Sequence, residues 1–454
     1  MHRSTLPAPQ QPRHRVAPVT DTALMTDRYE LTMIDAAMRA GTAFRPSVFE
    51  AFARRLPGAR RYGVVAGTGR FLERVAEFRF GDDELRFLRE NHVVSPELLD
   101  WLADYRFSGD IRGYAEGELY FPGSPILVIE GTFAEAVVLE TVALSVLNYD
   151  SAVANAATRM TRAAKGRPVA EMGSRRANEE AAVAAARAAY IAGFSATSNL
   201  AAGARWGIPT MGTAAHSFTL LHDTEAEAFQ AQIDVLGVDT TLLVDTYDIE
   251  QGIRTAIEVA GTSLGGIRLD SGDLVEVAAD ARRLLDSLGA TDTRITVTSD
   301  LDEYAIAGLQ ASPVDAYGVG TSVVTGSGAP AAGMVYKLVS RQGDDGEWVG
   351  VGKKSEDKAS KPGEKSAVRT LDAGGVAVEE TVLVTDDPLV VEAAAQTGRP
   401  LQVPLVVAGE IQQQWLGHSG VELARQRHDA SVAELPSEAH RLARGEPVLP
   451  TVFR

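Results

Sequence analysis

The sequence predicts an α/β protein in which an N-terminal α/β sandwich-like domain precedes an irregular β/α barrel. Between residues 136 and 335, short apolar segments repeatedly end in polar residues and glycines, and helical stretches separate most of them. Successive parallel strands need such crossovers. At 454 residues and 45% hydrophobic, the chain can also bury the cores of two or three domains.

The first twenty residues predict a disordered N-terminal extension, residues 1–20. They combine prolines with scattered basic residues and lack the continuous apolar stretch that a signal peptide needs. No later stretch approaches the roughly 18 consecutive apolar residues of a membrane span. We therefore expect a cytoplasmic protein without membrane association.

Residues 21–135 predict the N-terminal α/β domain. Its first helix lies in DTALMTDRYELTMIDAAMRAG, where Thr26 and Asp27 are candidate caps and Gly41 ends the amphipathic pattern. Short strands joined by Gly and Pro turns follow, and part of residues 336–410 is expected to complete the domain. The next helix is Ala-rich, and Gly166 and Pro168 are expected to end it.

Residues 136–335 predict the β/α barrel. The six expected strand segments are PVAEMGSRR, GIPTMGTAAHS, TTLLVDTYD, GGIRLDSGD, RITVTSDLD and VDAYGVGTS. Active sites of barrels collect at the carboxyl ends of the strands, so the polar residues that follow these segments are the candidate site. An open doubly wound sheet is the structural alternative.

Two further segments follow the barrel. Residues 336–410 form a post-barrel segment, and its lysine-rich stretch between residues 353 and 365 is open to two interpretations, a solvated turn or hairpin and a phosphate-contacting segment. Residues 411–454 predict a helical tail packed on the surface.

Composition limits the function. A formal charge of -17 would repel a phosphate backbone, so small molecules are more suitable partners than nucleic acid. With no cysteine, the chain can form neither a disulfide nor a thiolate nucleophile. Any catalytic metal must therefore bind oxygen or imidazole ligands.

The stretch RLDSGDL offers Arg268 as a cation and Asp270 and Asp273 as carboxylates three residues apart. Carboxylates can accept hydrogen bonds from sugar hydroxyls or hold Mg²⁺, which shares oxygen ligands with substrate phosphates. Arg268 can pair with a carboxylate or phosphate in a planar fork. The alternative is structural: Asp270 shapes a turn and Asp273 caps the next helix.

Other strand ends add to this set. YGVGTSV places Gly318 and Gly320 before Thr321, where backbone N–H groups could hold a phosphate, although a plain tight turn would have the same pattern. Ser299 and Asp300 end another segment. Several such groups in one β/α series favour a ligand site over isolated turns.

Seven motifs, in their order and spacing, resemble nicotinate phosphoribosyltransferases: TDRYELTM, EMGSRRANEEAAVAAARAAYIAGFSATSNLAAG, GTAAHSF, LLVDTYDIEQG, IRLDSGDL, TSDLDEY and YGVGTSVVTG. The resemblance covers nearly everything from Leu24 to Arg369. It implies a type II phosphoribosyltransferase fold and a homodimer that shares its active site. It also implies transfer of phosphoribosyl from 5-phosphoribosyl-1-pyrophosphate (PRPP) to nicotinate in NAD salvage, coupled to ATP hydrolysis through a phosphohistidine.

The resemblance also implies roles for individual residues. The family's segment that meets ribose and pyrophosphate is matched here by Arg268, Asp270, Ser271 and Gly272. The segment that receives the 5-phosphate is matched by Gly318, Gly320 and Thr321. Arg175 matches a substrate-site arginine, Met172 stands where some relatives carry a stacking aromatic, and Tyr29 matches a tyrosine that reaches the pyridine from the other subunit. Ser198 stands where nicotinamide-using relatives carry an aspartate, which predicts a preference for nicotinate.

His216, in GTAAHSF, is the expected phosphorylated residue. Imidazole acts as a nucleophile when another group holds its second nitrogen, and Asp245 is the candidate for that partner. Mg²⁺ would offset the charge on the phosphates, with Asp270 or Asp273 as possible ligands. The alternatives are a nicotinamide or quinolinate phosphoribosyltransferase and a non-catalytic phosphosugar-binding β/α protein, which would not need His216.

Overall fold

The computed structural model describes residues 22–353, 360–385 and 387–454. The expected disordered extension, residues 1–20, lies outside the described residues. The same holds for residues 354–359 of the lysine-rich stretch, so the question of which lysine meets phosphate stays a prediction.

The N-terminal domain alternates short strands and helices. Its helices are α1 (Arg28–Arg39), α2 (Thr68–Glu77), α3 (Asp82–Glu90), α4 (Pro96–Ala103) and α5 (Phe133–Val137). Its strands are β1 (Pro46–Ala53), β2 (Gly63–Val64), β3 (Asp110–Tyr114), β4 (Leu119–Tyr120) and β5 (Leu127–Thr132). The first helix follows the sequence prediction: Asp27 takes its N-cap position, and Gly41 turns the chain away with a φ of 70°.

The barrel region contains six parallel strands. The helices are α6 (Glu140–Ala164), α7 (Glu179–Ile191), α8 (Leu200–Trp206), α9 (His216–Leu221), α10 (Glu225–Leu236), α11 (Ile249–Ala260), α12 (Leu274–Ser287), α13 (Glu303–Gly308) and α14 (Thr321–Val324). The strands are β6 (Val169–Glu171), β7 (Ala196–Thr197), β8 (Thr241–Leu243), β9 (Gly266–Leu269), β10 (Arg294–Val297) and β11 (Ala316–Val319), in the order β7-β6-β11-β10-β9-β8. This parallel sheet with helical crossovers confirms the predicted fold class.

The chain after the barrel returns to the N-terminal domain. The strands are β12 (Met334–Gln342), β13 (Trp348–Gly350), β14 (Lys365–Leu371), β15 (Ala377–Val384), β16 (Arg399–Pro400), β17 (Gln402–Val407), β18 (Glu410–Ile411) and β19 (Thr451–Phe453), with helices α15 (Pro388–Ala395) and α16 (Gly417–Ala433). Four of them join three N-terminal strands in the seven-stranded sheet β13-β12-β1-β5-β3-β17-β18. A four-stranded sheet, β16-β14-β15-β19, lies beside it.

Helix α6 links the two hydrophobic cores. Val146 and Leu147, near its start, belong to the core of the N-terminal domain, whereas Val153 and Met160 belong to the core beneath the barrel. The span Phe133–Ala164 is long and apolar enough to cross a membrane, but 67% of its most apolar window is buried inside the fold. The apolar composition of α6 therefore serves core packing.

One predicted barrel strand is wrong. The stretch around Ile208 forms only an isolated bridge, between Thr210 and Thr197, and the neighbouring FSATSN stretch forms β7 instead. Pro209 has no N–H group, so a ladder cannot continue through it. The loop that leads to His216 is consequently free of regular structure.

The C-terminal tail also differs from its prediction. Helix α16 is present, with Val421, Ala424 and His428 buried on one face and exposed residues such as Leu423 on the other. The last residues form β19, which pairs in parallel with β15. The helical spacing predicted α16, whereas nothing in the local pattern indicated the pairing of β19 with the distant β15.

Helix α1 is fixed to α6 by a buried carboxylate, that of Glu30. One of its oxygens accepts hydrogen bonds from Thr141 N at 3.0 Å and Thr141 Oγ1 at 2.5 Å, and the other accepts from the Thr26 hydroxyl. The residue is 0% exposed. Burial raises the pKa of Glu30 to about 7, the hydrogen bonds from Thr141 and Thr26 act in the opposite direction, and nearby Glu140 adds to the increase.

We expect Glu30 to make folding pH-dependent. Because its folded pKa lies above the ordinary 4.5, the native state holds the extra proton, and the free energy of unfolding falls as the pH rises from 4.5 through about 7. Glu30→Gln keeps the hydrogen bonds without the charge, so this variant should exceed the unmodified chain in stability by about 2–3 kcal/mol at pH 8. At pH 5 the two should be nearly equal.

Urea unfolding at both pH values measures this difference. Glu90→Gln, at an exposed position at the end of α3, is the control and should behave as the unmodified chain at both. A stability gap for Glu30→Gln that does not grow with pH would contradict the assignment.

Candidate active site

The carboxyl ends of β8 and β9 bring the predicted acidic and basic residues together. Asp245 follows β8, while Arg268 lies within β9 and Asp270 follows it. His216 begins α9 and faces the same end of the sheet. The parallel pairing of β8 with β9 places these strand ends side by side, as in barrel active sites generally.

The His216 imidazole has a different neighbour at each nitrogen. Its Nδ1 lies 3.2 Å from Thr246 Oγ1, within hydrogen-bond distance. Its Nε2 lies 3.8 Å from Asp245 Oδ1 and 3.8 Å from Asp270 Oδ2. The side chain is 40% exposed, so a bound molecule can reach the ring.

Asp245 is a buried carboxylate with two unlike oxygens. Its Oδ2 accepts hydrogen bonds from Asp270 N at 2.8 Å and from Ser271 Oγ at 2.7 Å. Its Oδ1 is buried and has no hydrogen-bond partner among the described residues. Burying an oxygen without a hydrogen-bond partner costs free energy. The position of Oδ1 beside His216 therefore lowers the stability of the fold.

A cavity of about 360 Å³ opens beside these groups. The predicted residues on its wall are Met172, Arg175, Ser198 and Arg268, and the remainder of the wall is Ser174, Met211, Gly212, Thr213, Ala214, Ala215, Thr241 and Thr296. The cavity is therefore bounded by two arginines, several small side chains and two methionines. It is large enough for a small planar molecule.

The positively charged side chain of Arg268 lines this cavity. Its Nη1 donates to Thr213 Oγ1 at 3.2 Å, and its Nε is buried without a partner among the residues described. Burial lowers the pKa of Arg268, the carboxylates of Asp270 and Asp245 act in the opposite direction, and Arg175 adds to the decrease. A partly desolvated guanidinium with unused donors suits a planar anion.

Met172 packs against Gly318 on the floor of the site. A Cβ at Gly318 would lie 2.7 Å from Met172 Sδ and 2.6 Å from Thr298 Cγ2, so a larger residue cannot fit without displacing one of them. The Met172 backbone N–H donates to Val319 O at 2.8 Å. A flexible thioether, rather than an aromatic ring, thus forms this face of the cavity.

The next strand end holds Asp270 and presents a strained turn. Thr298 Oγ1 donates to Asp270 Oδ1. Ser299 and Asp300, both exposed, follow with φ values of 89° and 24°. Residues with a Cβ rarely adopt positive φ values, and those that do are concentrated at ligand-binding and active sites.

Four other predicted residues lie in the turns around this end of the sheet. Gly272 turns the chain into α12 with a φ of 82°, and Asp273 caps that helix by accepting from Val275 N at 3.0 Å. Gly320 is the N-cap of α14, whose first residue is the exposed Thr321. The structural alternative for Asp273, a helix cap, is the geometry observed.

Tyr29 lies apart from the cavity. It stands 46% exposed on α1 of the N-terminal domain. Burial of the hydroxyl and the nearby Glu140 raise the pKa of Tyr29. The structure therefore does not bring Tyr29 to the cavity of its own chain.

A second, larger cavity of about 1150 Å³ adjoins β1 and the C-terminal segment. Arg54, Arg55, Arg60 and Glu446 line it, together with prolines, glycines and alanines. It contains none of the predicted site residues. The predicted residues Met172, Arg175, Ser198 and Arg268 instead line the smaller cavity at the ends of β8 and β9, which we call the strand-end cavity.

Sequence reasoning missed several supporting residues. Glu171, which ends β6, is buried; it accepts from Gly173 N and, at 2.5 Å, from Thr197 Oγ1, and burial raises its pKa despite these hydrogen bonds. It thereby fixes two loops of the cavity wall. Thr246 was missed although it follows Asp245 directly, and only its strand-end position could have indicated it.

Comparison with known proteins identifies relatives of this chain. Residues 24–148 match the family model described as the nicotinate phosphoribosyltransferase (NAPRTase) N-terminal domain. The nicotinate phosphoribosyltransferase pncB1 of Mycobacterium tuberculosis is 53% identical over 436 residues, covering 94% of this chain and 94% of the relative. The Bacillus subtilis nicotinate phosphoribosyltransferase is 38% identical over 360 residues, covering 77% and 73%.

A solved structure agrees with these relationships. Human nicotinic acid phosphoribosyltransferase is 25% identical and superposes with a TM-score of 0.74, covering 94% of this chain and 97% of the human chain. The similarity extends through both the N-terminal domain and the barrel.

Proposed function

The chain belongs to the nicotinate phosphoribosyltransferase family, and from this premise we propose that its strand-end cavity transfers the 5-phosphoribosyl group of PRPP to nicotinate. The products are nicotinate mononucleotide and pyrophosphate, and the reaction belongs to NAD salvage. The observation that carries the proposal is the position of the His216–Asp245 pair next to a cavity whose wall holds both Arg268 and Arg175. A binding protein for phosphosugars would have no use for the imidazole.

The cavity wall supports an anionic pyridine as the acceptor. Arg175 and Arg268 provide cationic donors for the nicotinate carboxylate, and Met172 packs against the ring. Ser198, also on the wall, presents a hydroxyl where a carboxylate would repel nicotinate. Together these groups favour nicotinate over nicotinamide.

The strand ends support the sugar phosphate. The Asp270 carboxylate, held by Thr298, accepts hydrogen bonds from ribose hydroxyls through its remaining oxygen. The turns at Gly272 and at Gly320–Thr321 offer backbone N–H groups to phosphate oxygens. Attack by the pyridine nitrogen at ribose C1 then forms the new C–N bond as the C–O bond to pyrophosphate breaks.

We also assign ATP as a co-substrate that phosphorylates His216. The exposed ring, the small residues Gly212, Ala214 and Ala215 beside it, and the unpaired Oδ1 of Asp245 support this step. A carboxylate beside the ring balances the positive charge that develops when the imidazole accepts a phosphoryl group.

Magnesium suits the same groups. Asp270 Oδ2 is a partly exposed oxygen that Thr298 leaves free, whereas Asp273 uses one oxygen to cap α12. Asp270 is therefore the residue that would hold the ion, together with substrate phosphates. When bound, Mg²⁺ offsets the negative charge of those phosphates.

We further propose a homodimer in which Tyr29 completes the site of the partner subunit. Its exposed position on α1, outside the cavity of its own chain, supports this arrangement. The fixation of α1 by the buried Glu30 would hold Tyr29 in place for that purpose.

The ATP step predicts a labelled histidine. Incubation with γ-labelled ATP should leave an acid-labile, base-stable label that His216→Ala lacks, and His216→Ala should uncouple ATP hydrolysis from residual product formation. His222→Ala is the matched control and should keep the label, because His222 directly follows the same helix and its Nδ1 lies 2.8 Å from Phe218 O. A labelled His216→Ala chain, or full ATP stimulation of it, would show that the histidine is structural.

A further inference from the structure

We propose that Glu171 and Thr197 form a positioning pair for pyridine selection. Their contact holds the turn after β6 against the turn after β7, and these turns carry Arg175 and Ser198, respectively. The inference rests on the proposed function, because it takes Arg175 and Ser198 as groups that distinguish nicotinate from nicotinamide. It goes beyond that function by naming two fully buried residues, out of reach of any substrate, that control which pyridine binds.

Strand β7, which ends next to Ser198, has little support from its own ladder. It contains two residues and lies at the edge of the six-stranded sheet, where it pairs with β6. Its other side meets an isolated bridge between Thr197 and Thr210. An edge strand this short forms few ladder hydrogen bonds, so the position of Ser198 depends on side-chain contacts as well.

The turn after β6, in contrast, is firmly held by the strand and helix beside it. Met172 N donates to Val319 O of β11 at 2.8 Å. A Cβ at Gly173 would overlap Val324 Cγ1 and lie 2.8 Å from Gly320 O, so this turn packs directly against α14. The turn after β6 is therefore a fixed support from which a side chain can hold the turn after β7.

Glu171 connects the two turns through both of its carboxylate oxygens. Its Oε1 accepts a hydrogen bond from Gly173 N, and its Oε2 accepts one from Thr197 Oγ1 at 2.5 Å. The Thr197 hydroxyl accepts in turn from Asn199 N at 3.0 Å, using both its donor and its acceptor capacity. Asn199 Nδ2 also donates to Ser174 Oγ at 3.0 Å, which closes a ring of hydrogen bonds between the turns. This ring fixes the separation of the two turns.

The charge of Glu171 indicates a role in the site rather than in stability. Burial raises the pKa of Glu171, and among the described residues the hydrogen bonds from Thr197 and Gly173, rather than a cation, oppose this effect. A buried carboxylate without a cationic partner costs free energy of folding. Such a group is expected where the geometry it enforces serves function.

The contact acts on the two residues proposed to distinguish the pyridines. Arg175 lies in the short 3₁₀ turn Ser174–Arg176 after β6, and Ser198 directly follows β7. Both side chains line the strand-end cavity. Without the Glu171–Thr197 contact, the turn after β7 can move away from Arg175, whereas the turns proposed to bind phosphate, after β9 and β11, do not depend on it. Loosening the contact should therefore weaken nicotinate binding and leave PRPP binding nearly unchanged.

The test compares five variants with the unmodified full-length chain. Thr197→Val and Glu171→Ala remove the contact from either side, and Thr197→Ser keeps it. Ser174→Ala breaks the ring at its partly exposed end, where folding is least at risk. Thr293→Val is the control, because it removes a comparably buried hydroxyl that donates to Leu264 O at 2.9 Å just before β10, at the opposite end of the barrel. KM and kcat are measured for nicotinate, nicotinamide and PRPP with ATP and Mg²⁺ present, and urea unfolding establishes that each variant is folded.

We expect Thr197→Val and Glu171→Ala each to raise KM for nicotinate about tenfold and to change KM for PRPP by less than about twofold. The ratio of kcat/KM for nicotinate to that for nicotinamide should fall by about tenfold as well. Thr197→Ser should recover most of the nicotinate KM, Ser174→Ala should raise it about threefold, and Thr293→Val should match the unmodified chain.

Two results would overturn the positioning role alone: an unchanged nicotinate KM in folded Thr197→Val, or KM values for nicotinate and PRPP that rise together. If Thr197→Val does not fold, an unchanged nicotinate KM in Ser174→Ala would overturn it instead. An unmodified chain that forms no nicotinate mononucleotide would overturn the proposed function and this inference with it.

Discussion

Replacing Arg268 by alanine is expected to lower kcat/KM for nicotinate mononucleotide formation by at least about a hundredfold. The guanidinium is half-buried, donates to Thr213 and has a buried Nε with no partner among the described residues, so its remaining donors are available to an anion in the cavity. Without Arg268, the cavity wall keeps one of its two arginines, Arg175. Steady-state kinetics with nicotinate and PRPP varied in turn measures the loss.

Two comparisons separate chemistry from folding. Arg268→Lys keeps the charge but loses the planar fork, and should recover only a small part of the activity. A mixture of Arg268→Ala chains with Tyr29→Ala chains should regain activity, because a mixed dimer contains one site with both residues intact. An Arg268→Ala chain with near-normal kcat/KM would remove Arg268 from the site, and an inactive mixture would contradict sharing across subunits.

The largest expected effect on stability comes from a buried ionic cluster centred on Glu118. One of its oxygens accepts from Arg369 Nη1 at 2.7 Å and the other from Arg399 Nη1 at 2.7 Å, while Ser431 Oγ donates at 2.8 Å. Arg369 also pairs with Glu380 at 2.7 Å. Burial alone would raise the pKa of Glu118, but Arg369 and then Arg399 outweigh it and lower the pKa to about 2.

Glu118→Ala should therefore lower the free energy of unfolding by about 3–5 kcal/mol, because Arg369 would remain buried with part of its charge uncompensated. Glu250→Ala breaks the exposed pair with Arg254 and should cost about 1 kcal/mol or less. Urea unfolding monitored by fluorescence and by circular dichroism measures both. Equal destabilisation by the two variants would show that the cluster contributes no more than a surface pair.

The sequence predicted the barrel and its strand-end residues because both depend on local patterns. Apolar segments before Asp245, Arg268–Asp270 and Gly318 mark strands, and their carboxyl ends meet at one edge. The structure also places His216 3.8 Å from Asp245, although His216 begins α9 after an irregular loop and does not end a strand as the sequence predicted.

Other features depend on contacts between distant positions, which a local pattern cannot show. Glu118 and Arg369 are separated by 251 positions, and Glu30 reaches Thr141 across 111. The Pro209 stretch had the apolar composition of a strand but lacked the N–H group needed to extend one. Thr246 could not be distinguished from an ordinary turn residue until its distance to His216 was known.

The proposed reaction requires the strand-end cavity to accept nicotinate in preference to other pyridines. Purified chain is incubated with labelled PRPP, ATP and Mg²⁺ together with nicotinate, nicotinamide or quinolinate, and the nucleotide products are separated by chromatography and identified by mass. We expect nicotinate mononucleotide with one pyrophosphate per product, and turnover of nicotinamide at least about thirtyfold lower, since the arginines of the cavity pair with a carboxylate. Equal turnover of nicotinate and nicotinamide, or product from quinolinate alone, would contradict the proposed reaction.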